Sequence, residues 1–244
     1  MRALLGLAVL SGGCDVLFNI DHVNLADASH PPDVEPQVGD GHQASIAMTA
    51  RGSQGSNTTG IKTLALHFDG GVAPALDDFT VAAVCYNHTN SAVVMEIADL
   101  HGHSLAPVRV AMTTNEYFEL WAGHVDADLA LTLSIPANFP DIRAISYSGV
   151  DSSMVPDTKV GTVMTALSVQ AGPLLIAEKL TMVVAATCVQ NQTTSLPDFV
   201  QETSANGNWI SDRLVNGPDA VTAMAVQQNA GDAVLVLAAL QAAE

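Results

Sequence analysis

The sequence predicts an all-β protein: one antiparallel, jelly-roll-like β-sandwich over residues 43–244, preceded by a signal segment (1–13) and a tether (14–42). Three observations lead there. Apolar residues recur with a period of two rather than 3.6. Turn signals separate the apolar runs at intervals of about 10 residues, the spacing of a sandwich or barrel. Small and β-branched residues dominate, with 5% aromatic residues and scattered Gly and Pro, as suits closely packed sheets.

The start of the chain reads as an address. Met1–Gly13, MRALLGLAVLSGG, places one Arg before an apolar run and then small residues. This is the layout of an export signal, and it is far shorter than the roughly 20 residues a membrane-spanning helix needs. Cys14 directly after Ser11-Gly12-Gly13 resembles the acylated first residue of a bacterial lipoprotein, although Ser11 stands where that pattern has Leu. An ordinary cleaved signal, or a buried first strand with an incidental Cys, is the alternative. The stretch ADASHPPDVEPQVGDG is acidic and contains three prolines, so it is expected as an extended tether. Arg51–Gly60, RGSQGSNTTG, is expected as a long loop or turn.

Strands follow in order. Ser45–Ala50, Ile61–Phe68 and Phe79–Tyr86 alternate, the last placing Phe79, Val81, Ala83 and Cys85 on one face. Val93–Ala98, Val108–Met112 and Tyr117–Ala122 continue the series. Leu129–Ile135 is the cleanest case, with Leu129, Leu131, Leu133 and Ile135 against Ala130, Thr132 and Ser134. Pro140–Asp151, PDIRAISYSGVD, is a strand with apolar residues on both faces, in which Arg143 needs an acidic partner or solvent. Val160–Val169, Leu180–Val189, Trp209–Leu214, Ala220–Gln227 and Ala233–Leu240 complete the sheet. The near-continuous apolar runs among them suit strands buried on both faces. A helix over Ala233–Ala243 is the competing reading, because Ala and Leu are good helix formers. VAAVCYNHTNS at Val81–Ser91 and VAATCVQNQTTS at Val184–Ser195 echo one another, through chance or duplication.

VAAVCYNHTNSAVVMEIADLHGHSL, EYFELWAG, LSIPANFPDIRAISYSGVD, NGNWISDRLV and AVLVLAAL occur in that order from Phe79 to Leu240. Together they resemble a β-sandwich domain of secreted and surface bacterial proteins, myxobacterial lipoproteins among them. PDIR…YSGVD is the most specific element. Asp99-Leu100-His101-Gly102-His103 departs from the pattern, which has Asn after the Gly. The resemblance implies fold and surface location, and no chemistry.

Acids outnumber bases 25 to 8, for a net charge of −17. Neutralising phosphates requires a Lys/Arg surface, so nucleic acid is not an expected partner. The usual nucleophile, zinc-protease, redox and nucleotide-binding motifs do not occur. His101 and His103 have the i, i+2 spacing of a chelating pair. Gly102 between them favours a turn, so no metal and no cofactor is expected. Asp77-Asp78 and Asp126-x-Asp128 are candidate calcium loops, though close acids of this kind are more often plain loop chemistry. Tyr117, Glu119 and Trp121 share one strand face and are the candidate sugar platform, the alternative being burial beneath other structure. Cys85 and Cys188 form either a disulfide, which an exported protein allows, or two buried thiols. The functional expectation is a non-catalytic cell-envelope lipoprotein held to a membrane by its N-terminal lipid. Its domain serves adhesion, binding or structure, with an extracellular glycan or an envelope protein as partner. A carbohydrate-binding surface module is the alternative, and a hydrolase without a local signature comes third.

Overall fold

The computed structural model describes residues 44–87, 92–177 and 179–244. The signal segment, Cys14 and the whole tether lie outside the described residues. What is described is an antiparallel β-sandwich. The strands are β1 (Ala47–Gly55), β2 (Ile61–Leu66), β3 (Phe79–Asn87), β4 (Val94–Asp99), β5 (Ala106–Met112), β6 (Glu116–Gly123) and β7 (Leu129–Ser148). They continue as β8 (Asp157–Ile176), β9 (Thr181–Val189), β10 (Thr193–Ser195), β11 (Val200–Ala205), β12 (Asn208–Val215) and β13 (Asp219–Gln241). One 3-10 turn, Asp69–Gly71, interrupts the series.

β7 organises the first half of the domain. Its last residues, Asp141–Ser148, pair with β1 and β3 in a sheet ordered β1-β7-β3-β6-β5. Its first residues, Leu129–Leu133, pair instead with β2 and β4. Between them Phe139 takes φ +53, a left-handed conformation that turns the strand sharply. The strand therefore leaves one sheet and carries β2 and β4 across its face. The residues that alternate at Leu129, Leu131 and Leu133 are consequently buried against Ala82, Val84 and Tyr86 of β3. Burial of side chains of this size contributes roughly 1.5–3 kcal/mol each.

The second half repeats this plan. β13 is flanked by β8 and β9 along its last stretch, Ala233–Ala239, and β9 continues into β12 and β11. Its first stretch, Asp219–Val226, pairs with the later part of β8, and β10 joins it there. β8 thus occupies, in one strand, the places that β1 and β2 share in the first half. β3 matches β9, β4 matches β10, β5 matches β11, β6 matches β12, and β7 matches β13. The two echoing segments are the central strand of each half, so the sequence similarity marks a repeated architecture.

Layering explains the unbroken apolar runs. Phe79, Val81, Ala83 and Cys85 face Met182, Val184, Ala186 and Cys188 across the middle of the sandwich. The alternate residues of β3 face the β2/β4 layer, and those of β9 face the layer made by β8 and the start of β13. Both central strands have apolar cores on both sides. Ala233–Gln241 is strand and not helix, because pairing with β8 and β9 satisfies its backbone while both faces are buried. Arg51–Gly55, expected as loop, instead extends β1: Gly52 sits so close to His67 and Phe68 that a side chain would collide with them. Ile46 and Met48, which alternation places on one face, differ in the structure: Ile46 is buried and Met48 is 40% exposed.

Candidate functional site

The ends of β3, β9 and β11 and the starts of β6 and β12 meet at the bend of β7, where the two halves join. They enclose a cavity of about 340 Å3 whose walls include Asn57, Asn87, Glu116, Phe139, Gln190, Asn206 and Asn208. Asn206-Gly207 is a two-residue hairpin loop with both residues at positive φ, the geometry that Asn-Gly favours. The Asn206 amide donates to the carbonyls of Ser56 (3.1 Å) and Phe139 (3.2 Å), tying the hairpin to the bend of β7. Phe139 is 47% exposed at the mouth.

Cys85 and Cys188, also in the wall, are joined in a disulfide, with their Cα atoms 5.4 Å apart. They occupy equivalent places in β3 and β9, so the bond links the two halves at their centre. Glu116 lies beside them, its carboxyl 3.8 and 3.7 Å from the two sulfurs, and is 6% exposed. Disulfide sulfurs carry no proton to donate and cannot serve as thiolate metal ligands. Among the described residues no other donor reaches the Glu116 carboxyl. Burial, and then the charges of Asp141 and Asp232, push its pKa up to about 8. Asn87 Oδ1 is likewise buried without a partner among the described residues.

Below the cavity most polar groups are engaged, although Arg143 Nη2 is buried without a partner among the described residues. Asn208 donates from Nδ2 to Asp141 (2.7 Å), and its own Oδ1 accepts from the Val189 amide (2.7 Å). Asp141 pairs with Arg143 (2.8 Å), which donates to the carbonyls of Thr187 (2.6 Å) and Trp209 (2.8 Å). Burial raises the pKa of Asp141, and the Arg143 guanidinium opposes that shift.

The Tyr117–Glu119–Trp121 row is not an exposed platform. Trp121 and Glu119 are 6% and 4% exposed. Glu119 accepts from the Trp121 indole (2.9 Å), the Val94 amide (3.1 Å) and the Tyr86 hydroxyl (3.4 Å), while Tyr117 stacks on Tyr86. The cause is the bend of β7, which lays β4 over this face. Glu119 therefore serves as an internal acceptor.

His101 and His103 lie in the turn between β4 and β5. His101 Nδ1 is 2.7 Å from Asp126, and His103 Nδ1 is 3.0 Å from Asp99 and 3.2 Å from Asp126. Asp126 and Asp99 respectively raise the two imidazole pKa values. The sequence pattern showed the pair; it did not show the two acids, one of which arrives from the β6–β7 loop. Burial acts to raise the Asp99 pKa, but the amides of Asp126 and His103 hold it well below the usual carboxylate range. The candidate calcium acids are spread over several partners. Asp78 accepts from the Ala75 amide (3.1 Å), and Asp128 from the Phe68 amide (3.0 Å) and the His67 ring.

The Glu116 cavity escaped the sequence reading because its walls come from segments up to 151 residues apart, Asn57 to Asn208. Asn206-Gly207 was the one local signal pointing to it. No protein-family model, curated protein or solved structure matches the chain.

Proposed function

We propose that this chain is a non-catalytic, lipid-anchored cell-envelope protein whose β-sandwich binds a small hydroxyl-rich ligand, a saccharide, in the cavity at Glu116. The carrying observation is the Glu116 carboxyl: buried, bordering the cavity, and without a donor among the described residues. A buried polar group left unpaired costs about 1–3 kcal/mol, which a ligand hydroxyl recovers on binding. With its pKa near 8, Glu116 is protonated at neutral pH and both donates and accepts, matching a hydroxyl. The amides of Asn57 and Asn87 add further donors and acceptors, and Phe139 offers a ring to the C–H face of a sugar. Asp141, below the cavity, is taken up by Arg143 and Asn208, which favours binding over acid–base hydrolysis. The disulfide suits an oxidising compartment. The signal-like segment, Cys14 and the resemblance to surface β-sandwich domains support the location.

A glycan array, followed by calorimetry on any hit, tests the ligand. Glu116→Ala and Phe139→Gly should each weaken binding at least tenfold, about 1.4 kcal/mol. No hit, or a hit indifferent to both substitutions, overturns the reading. For the anchor, mass spectrometry should find an acylated Cys14 as the mature N-terminus; an unmodified Cys14 refutes it.

A further inference from the structure

The turn between β4 and β5 gathers a second set of groups that the saccharide reading does not use. We propose that Asp99, His101, His103 and Asp126 form a binding site for one divalent transition-metal ion, zinc fitting best. One ligand atom from each of the four lies within 4.8 Å of all the others. In a tetrahedral zinc site, with bonds of about 2.0–2.1 Å, neighbouring ligand atoms stand about 3.3 Å apart. Three of the six edges are 2.7, 3.0 and 3.2 Å and the others lie within 4.8 Å, so side-chain adjustments on the order of an ångström admit an ion.

The anchor is preorganised. The Asp99 side chain is 0% exposed, and its carboxylate is aimed by the amides of His101 (2.9 Å), His103 (2.9 Å) and Asp126 (3.0 Å). Ligands oriented in this way by a supporting shell of hydrogen bonds lose little freedom on binding. Gly102, at φ +91, folds the chain so that both imidazoles reach the Asp126 carboxylate, and His103 reaches Asp99 as well. Two nitrogens with two oxygens suit zinc; calcium prefers oxygen ligands alone.

The repeated architecture supplies an independent comparison. The matching connection in the second half, between β10 and β11, is Leu196-Pro197-Asp198-Phe199, without a histidine. That half builds the same strand order regardless, so the plan of the fold does not require the cluster. With the ion bound, the β4–β5 turn is tied through Asp126 to the β6–β7 loop.

The test is calorimetry of the full chain with zinc chloride, repeated with cobalt(II), whose visible absorption reports tetrahedral coordination. One ion per chain is expected, with at least hundredfold weaker binding in His101→Gln/His103→Gln and in Asp126→Asn, each checked for wild-type circular dichroism. Asp126→Asn leaves Asp99 and its turn intact, so its loss of binding separates ligation from misfolding. No heat with the wild-type chain overturns the proposal, as does stoichiometric binding that survives both sets of substitutions.

Discussion

Asp141 and Arg143 stand two residues apart on one strand, each with 0% side-chain exposure, and meet at 2.8 Å in the join between the two halves. A buried pair of this kind offsets its own desolvation only when the remaining polar atoms are engaged. Here the Thr187 and Trp209 carbonyls take Arg143 Nη1 and Asn208 takes the second carboxylate oxygen, while Nη2 is buried without a partner among the described residues. All three partners belong to the second half, so the pair fastens β7 to β9 and β12. Arg143→Met should leave Asp141 as an uncompensated buried charge and cost about 3–5 kcal/mol at neutral pH. Chemical denaturation measures this; a loss below about 1 kcal/mol would show that the pair is not structural.

Glu116 makes stability fall as pH rises. Its pKa is about 8 when folded, against 4.5 for the free side chain. Below pH 4.5 both states hold the proton, and no difference arises. Between the two values the folded state keeps a proton that the unfolded state has released. Stability therefore declines by up to about 1.4 kcal/mol per pH unit, and the loss is complete above pH 8. Glu116→Gln should abolish this slope and be more stable than the parent at pH 9. Parallel urea titrations at pH 5, 7 and 9 with equal slopes in both proteins would contradict the assignment.

Joining Cys85 to Cys188 closes a loop with a sequence separation of 103. Loop-closure entropy for about 100 residues puts the stabilisation near 4.7 kcal/mol, with measured cases reaching about 5. Cys85→Ala/Cys188→Ala should lower stability by about 2–5 kcal/mol. An unchanged unfolding midpoint under reducing conditions would count against the bond.

Trp121 belongs to the core rather than to a ligand site. Trp121→Ala should cost about 3–5 kcal/mol through the cavity left behind and the donor withdrawn from Glu119. Glycan affinity of the folded fraction should not move, whereas Phe139→Gly should reduce it with little loss of stability. The opposite pattern would return the sugar site to the β6 face.

Period-two alternation in Leu129–Ile135 and Phe79–Tyr86 reports which faces are apolar; Leu129, Leu131 and Leu133 are buried accordingly, whereas Ile135 is 41% exposed. The facing follows from local sequence, because the pleat places alternate side chains on opposite faces whatever lies above them. Even the mixed faces of Pro140–Asp151, with Ile142 and Ala144 on one side and Ile145 and Tyr147 on the other, correctly signal a strand between two layers. Local pattern does not say what covers a face. Leu129–Ile135 and Pro140–Asp151 read as two strands because the Phe139 bend has no signature in hydrophobicity, and Ala220–Gln227 and Ala233–Leu240 read likewise for β13. The β7 bend lays β4 over Trp121, turning an apparent platform into core. The bends also bring Glu116, Phe139 and Asn208 around one cavity. Strand character and most facings were thus legible in the sequence, whereas the strand at Arg51–Gly55 and the exposure of Met48 and Ile135 were not. The site was decided by tertiary structure, because it depends on which distant strands the two long bent ones carry together.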